Sequence, residues 1–438
     1  MSPGASSVPS PRPGRESSSS AQLRLVEGGV GRLRIPRPRA RQGDLVSTRT
    51  AVLGVVLALC GIGLVMVLSA SAYTSLQYYG SVWTIFERQI LWMGLGAIAF
   101  FGAIRVRYDY WRRLRVVLPL VTVGLLVAVL VPGIGVVAGG SSRWIGVGPL
   151  QIQPSELMKL AMAVFAADLL ARRADRLQRT RSVVVPLLGL LAVSGLLVLK
   201  QPDMGTAMVL AFITFALLYA GGVPLRPVVK ALGVTAVLGL IVGLAEPYRR
   251  ARLLSFLDPF AHAKGSGYQV VQSLVGLGSG HLYGLGLGGG REKWGLLPNA
   301  HTDFIFSVIG EEGGLVGTLL VLCLFGALAW YGLRAADRAP DRFGALLAVA
   351  ATCWITSQAV INIGAVIGVL PVTGIPLPFI SFGGSSLIIT LVAAGMLVNV
   401  ASHEKTPGGP GPEKRRAPVG SSPAVPKVIE TRRRRDRG

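Results

Sequence analysis

The sequence predicts an all-α polytopic membrane protein with ten transmembrane helices, a long extracellular loop between the seventh and eighth, and both termini in the cytoplasm. Three observations carry that fold class. Of 438 residues, 51% are hydrophobic and only 15% charged, a balance that points to membrane spans before a soluble core. Apolar runs of about 20 residues recur, each long enough to cross a hydrocarbon core of roughly 30 Å. Lys and Arg crowd into alternate connections, the pattern that orients multi-pass proteins.

The runs lie at 49–69, 88–104, 115–133, 154–171, 183–199, 203–221, 227–245, 304–331, 343–368 and 380–400. A lipid-exposed backbone must satisfy its own hydrogen bonds, and these runs lack the alternation of barrel strands, so each reads as a helix. The 105–115 and 172–182 connections carry five Lys or Arg each, 221–230 two and 333–342 three. The alternate connections carry none in 70–87, Arg143 alone in 134–153 and none in 369–380. Segment 246–303 has six, but a loop of about 60 residues weighs little in this rule. It is therefore placed outside, and the chain is expected in a membrane with both termini on the cytoplasmic side.

Residues 49–400 form the expected membrane domain, flanked by two Ser-, Pro-, Gly- and Arg-rich tails, 1–48 and 401–438. Neither tail can bury a core, so both read as disordered basic cytoplasmic segments. They carry much of the net charge of +23, which suits anionic lipid headgroups. No aromatic residue interleaves with their arginines, which argues against nucleic acid. The first apolar run is full length and begins near residue 49, so no cleavable signal peptide is expected. Cys60, Cys323 and Cys353 all fall inside predicted spans, with neither disulfide nor metal spacing.

Unusual residues gather on the outer side. In "SSRWIGVGPLQIQPSELMKL" Pro154 opens a helix, and Glu156 and Lys159 at i, i+3 are either a local ion pair or a cavity-facing set with Arg143. "VLKQPDMGTAMVL" brackets a Pro202 turn with Lys200 and Asp203, which read equally as a turn salt bridge or as cavity lining. "GVLPVTGIPLPFISFGGSS" cannot be one helix, and irregular backbone at membrane depth survives only when buried or beside a wet cavity. Within 246–303, residues 268–278 read as an amphipathic interfacial helix, and the Gly-rich 284–290 as a flexible connector in a mobile lid. "LPNAHTDFIFSVIGEEGG" then collects His301, Asp303, Glu311 and Glu312 at the mouth of the eighth run. Thr302 or Asp303 could simply cap that helix. Acids and bases converging on one side of an apolar domain instead suggest chemistry on, or passage of, a charged lipid-borne substrate, with cations for a diphosphate and a carboxylate as base.

The five blocks "SRWIGVGPLQIQPSELMKL", "KQPDMGTAMVL", "SFLDPFAHAKGSGYQVVQSL", "LPNAHTDFIFSVIGEEGGLVG" and "LPVTGIPLPFISFGGSS" together resemble the signature blocks of the SEDS (FtsW/RodA/SpoVE) family, over about residues 49–400. The resemblance implies a peptidoglycan glycosyltransferase that polymerises lipid II on the outer face of the membrane. It implies a class B penicillin-binding transpeptidase and other divisome or elongasome membrane proteins as partners. Asp303 matches the family's essential carboxylate. Arg143, Glu156 and Lys159 match cavity-lining positions, and Arg143, Lys159 or Arg252 could neutralise the leaving diphosphate. Lys200, Asp203, His301 and Glu311 complete the expected substrate-binding set. No cofactor is implied beyond room for a divalent cation, Mg or Mn. The start of the domain and the 139–171 block look closer to division-type members from high-GC Gram-positive bacteria, although Thr373 stands where many of those carry a lysine. A lipid II flippase using the same cavity, without a general base, is the alternative.

Overall fold

The ten apolar runs all fold as helices, and the connections between them hold structure that hydropathy does not show. The computed structural model describes residues 46–138, 141–148, 150–177 and 180–404. Most of both predicted tails, 1–45 and 405–438, lies outside the described residues. Helices α1 (Thr48–Tyr79), α2 (Thr84–Arg105), α3 (Val117–Val129), α4 (Pro154–Arg172), α5 (Thr180–Lys200), α6 (Met204–Ala220) and α7 (Leu225–Ala245) follow in chain order. After α8 (Pro247–Leu257) and α9 (Tyr268–Ser279), both in the long loop, come α10 (Ile305–Arg338), α11 (Arg342–Val366) and α12 (Gly384–Ser402).

Six of these, α1, α5, α7, α10, α11 and α12, are long and apolar enough to cross a membrane, and α2 adds a seventh if the 3-10 segment Tyr108–Leu114, bent 102° from it, counts as one span. α3 and α6 are apolar but shorter. α4 carries Glu156, Lys159 and Asp168, each of them buried in the protein. The most enclosed helices are α4, buried over most of its length, and α11 and α12, whose apolar windows are 67% and 78% buried by protein, whereas α7 at 11% stands at the rim. α12 packs along α2, and α11 against α4, α6 and α10.

Three connections differ from expectation. Segment 134–153, read as a plain loop, folds as an antiparallel sheet in the order β1 (Val136–Ala138), β2 (Ser141–Val147), β3 (Leu150–Ile152), too short for period-2 alternation to declare itself. α1 continues ten residues past its apolar run to Tyr79 and stops at Gly80, which takes the left-handed conformation at φ 70°.

The third is the Gly-rich connector, predicted to be flexible and found to be pinned. α10 is interrupted at Gly314 (φ 63°, ψ −161°), and residues 281–286 dock into the break. The amides of Leu285 and Gly286 donate to the carbonyls of Glu311 and Glu312 at 2.9 and 3.1 Å, and those of Leu315 and Val316 to the carbonyls of His281 and Leu282 at 3.0 and 3.2 Å. A Cβ on Gly314 would lie 2.3 Å from the Gly284 nitrogen. Only glycine fits both the dihedral and the contact.

Candidate active site

The Pro-rich stretch between α11 and α12 is irregular, as expected, and α11 supplies the partners its backbone lacks. Gln358 and Asn362 lie one turn apart on α11. Gln358 Nε2 donates to the Pro376 carbonyl at 2.9 Å, while Asn362 Nδ2 donates to the carbonyls of Ile375 at 2.8 Å and Asp303 at 2.7 Å. Ser381 Oγ accepts from the Leu377 amide and donates to the Thr302 carbonyl. The Phe382 amide donates to the His301 carbonyl at 3.0 Å. These bonds lash the turn before α10 to the broken segment and fix Asp303 between them.

The Asp303 carboxylate itself has no hydrogen-bond partner among the described residues. It is no cap either: Phe304 takes the N-cap position of α10 without a side-chain bond. Gly374 lies beside the carboxylate: a Cβ there would meet Asp303 Oδ2 at an ordinary 3.6 Å, so the left-handed backbone at φ +73°, not lack of space, is what calls for glycine. Burial pushes the Asp303 pKa up to about 6; Arg252 and then Arg143 pull it down, and Asp203 pushes it up. A carboxylate tuned toward neutrality suits a proton acceptor. Beside it, burial lowers His301 to about 4, so its ring, 5.8 Å from that of Phe382, is neutral at pH 7.

Arg252, on α8, donates to the Val372 carbonyl at 3.4 Å. It lines a small, partly open cleft together with Pro202, Met204, Met208, Val372 and Thr373, a lining that does not include Asp303. Arg143, on β2, donates from Nε to the Gln201 carbonyl at 2.8 Å and from its second terminal nitrogen to the Pro202 carbonyl at 2.6 Å. The hairpin thus grips the α5–α6 turn and holds a guanidinium within electrostatic reach of Asp303.

The other singled-out residues have partners elsewhere. Glu156 and Lys159 form a 2.7 Å ion pair with side chains 2% and 0% exposed. Ser386 donates to Glu156, Lys159 donates to Gln358 Oε1 at 2.7 Å, and its ammonium stands 5.3 Å from the Trp354 ring. The pair is closed within α4, α11 and α12, facing protein on every side, and through Gln358 it steadies the Pro376 carbonyl. Asp203 caps α6 by accepting from the Thr206 amide and also accepts from Gln153 and Ser155. No ion pair joins it to Lys200, which is exposed at the end of α5.

Glu311 accepts from the amides of Arg291, at 2.6 Å, and Glu292. Glu312 pairs with Lys293 at 2.6 Å and accepts from Ser69 on α1. Both acids therefore fasten the connector to α10 and are held by protein donors there. Glu292, 4% exposed, has an oxygen without a partner; burial first, then Glu311, raises its pKa from 4.5 to about 7. Folded protein thus holds that proton more tightly than unfolded chain, and stability is lost as pH rises through this window. Glu292→Gln is expected to melt higher than wild type at pH 8, with the difference vanishing at pH 5.

Gln358 and Asn362 were legible in "ITSQAVINIG" as two amides four residues apart in an apolar span, a spacing that aligns them on one face. Asn362→Leu should bare two carbonyls, at a cost of about 1–3 kcal/mol each. Because it also frees the Asp303 backbone, turnover is expected to fall more than substrate affinity, which initial rates against substrate concentration would resolve.

Donors for a divalent cation are few. No group of three or more His, Cys, Asp or Glu among the described residues could hold one, and both Asp203 oxygens are engaged. A cation here would rest mainly on substrate phosphates.

A family model for cell cycle proteins, covering FtsW, RodA and SpoVE, matches residues 50–406. The chain is 42% identical over 353 residues to stage V sporulation protein E of Bacillus subtilis, covering 80% of this chain and 96% of that one. It is 41% identical over 372 residues to a probable peptidoglycan glycosyltransferase FtsW of Mycobacterium tuberculosis, covering 84% and 71%. Among solved structures, a chain from work titled "Structural coordination of polymerization and crosslinking by a peptidoglycan synthase complex" superposes with a TM-score of 0.66 at 30% identity, over 80% of this chain and 96% of that one. The rod shape determining protein RodA of Thermus thermophilus gives 0.59 at 27%, over 81% and 97%.

Proposed function

The chain belongs to the FtsW/RodA/SpoVE family, and from that membership we infer that it is a multi-pass membrane peptidoglycan glycosyltransferase whose substrate is lipid II and whose base is Asp303. The observation that carries the assignment of the base is the free carboxylate. Asp203, Glu156, Glu311 and Glu312 are all engaged by protein donors, and Asp303 has an unbonded carboxylate of raised pKa.

In the reaction a sugar 4-hydroxyl attacks the anomeric carbon of a diphosphate-linked sugar. The new C–O bond forms as the bond to the diphosphate breaks, Asp303 takes the hydroxyl proton, and undecaprenyl diphosphate leaves with the bonding electrons. Arg252 and Arg143 offset the charge developing on it, as preorganised cations do. All ten helices of the apolar runs are taken as spans, α4 included, because its charges are neutralised inside the bundle. A class B penicillin-binding transpeptidase is the proposed partner, a reading supported by the coordinated polymerisation and crosslinking named for the similar complex.

Purified protein, with and without such a transpeptidase, is expected to convert lipid II into glycan polymer resolved on a gel. A flippase would instead move lipid II across a vesicle bilayer and leave no polymer. Because Asp303 acts ionised, the initial rate should climb up to about tenfold per pH unit below about 6 and flatten above about 7. A flat profile between pH 5 and 8 removes Asp303 as the base.

A further inference from the structure

At the opposite end of α4 from the candidate site, three guanidiniums converge on one carboxylate. Asp168 lies 13 residues beyond Ser155, roughly 20 Å along the helix. Its side chain is fully buried and pairs with Arg112 at 2.8 Å, Arg115 at 3.4 Å and Arg172 at 2.6 Å. The acid is shielded while the arginine side chains stay 39%, 36% and 43% exposed. The cluster therefore presents two uncompensated positive charges outward. Both basic connections that form it, 105–115 and 172–182, belong to the side placed in the cytoplasm.

We propose that this cluster binds the phosphate of an anionic phospholipid in the inner leaflet. Arg112 Nε donates to Asp168 Oδ1 at 2.8 Å and Arg115 and Arg172 are ion-paired to Oδ2, so one buried acid gathers the three guanidiniums with their open faces outward. The chain around them is apolar and uncovered: Val106, Leu114, Val116 and Val117 are 43%, 39%, 51% and 54% exposed. Cations beside exposed aliphatic side chains match a lipid, whose headgroup meets the arginines while its acyl chains cover the valines and leucine. A soluble polyanion would leave that apolar surface bare. The chain's own tails do not supply the anion, since 1–45 has eight arginines against three acids and 405–438 ten basic residues against three acids. The 102° bend after α2 turns the 3-10 segment away from the helix axis, and Tyr110, stacked by Arg113 at 4.6 Å, is the kind of side chain that anchors at headgroup depth.

The test is native mass spectrometry of the full chain, titrated with phosphatidylglycerol, phosphatidylcholine or inorganic phosphate, alongside melting curves. Phosphatidylglycerol is expected to stay bound and to raise the melting temperature more than phosphatidylcholine does. Arg115→Gln, which removes the longest pair, should weaken phosphatidylglycerol about fivefold, and Arg112→Gln with Arg115→Gln about 25-fold, at roughly one cation's contribution each. The Arg172–Asp168 pair remains in both variants, and an unchanged melting temperature in phosphatidylcholine shows that they fold. Should the double variant fold poorly, the single one decides. Equal retention of the two lipids, a variant that binds phosphatidylglycerol like wild type, or equal stabilisation by inorganic phosphate would each overturn the proposal.

Discussion

Asp303→Asn is expected to lower polymerisation of lipid II by about 10²–10⁴-fold, the usual contribution of a positioned base, while the melting temperature stays close to wild type. Asn keeps the size and hydrogen-bonding reach of Asp but cannot take the hydroxyl proton at neutral pH. The substitution removes no hydrogen bond to protein among the described residues, only the longer-range attraction of Arg252 and Arg143, and α10 starts at a Phe304 cap without the carboxylate. Desolvation of the native carboxyl is relieved, if anything, by a neutral amide. Polymer length on a gel and melting curves from the same preparations check both halves. Near-normal polymer would sink the base assignment, and a collapsed melting temperature would make Asp303 a structural residue.

Lys159→Met is expected to cost about 3–5 kcal/mol of stability, because removing one partner of a buried pair strands the other charge. Glu156 would keep only Ser386, and Gln358 Oε1 only its 3.2 Å bond from the Trp354 indole. The diphosphate-neutralising role expected of Lys159 would give a different outcome: impaired substrate use in a protein that still folds. A second variant separates the two. Lys159→Met combined with Glu156→Gln removes both charges, so it should melt well above the single variant. If the pair is a support for the Pro376 segment, polymerisation recovers with stability; if Lys159 touches the diphosphate, the stable double variant stays inactive.

The sequence by itself determined the helices, because hydropathy and backbone hydrogen-bond satisfaction are local properties of some 20 consecutive residues. It also determined that 371–383 is irregular, since its prolines forbid a helix wherever they lie, and it singled out Asp303 through its block. Which charged groups share a site was decided only by the tertiary structure. Lys159, Glu311 and Asp203 look alike in sequence, as charges near the outer ends of spans, and their partners come from Gln358, the 291–292 amides and Gln153. A buried charge takes whichever donors or acceptors the packing brings within about 3 Å, and those arrive from other helices. The three-stranded hairpin and the break in α10 escaped for the same reason, their backbone bonds being made to segments too short or too distant for any pattern within one run. Asp303 is distinguished by the reverse condition, a carboxylate that the packing leaves without a bond, and only the folded chain can leave a group unpaired.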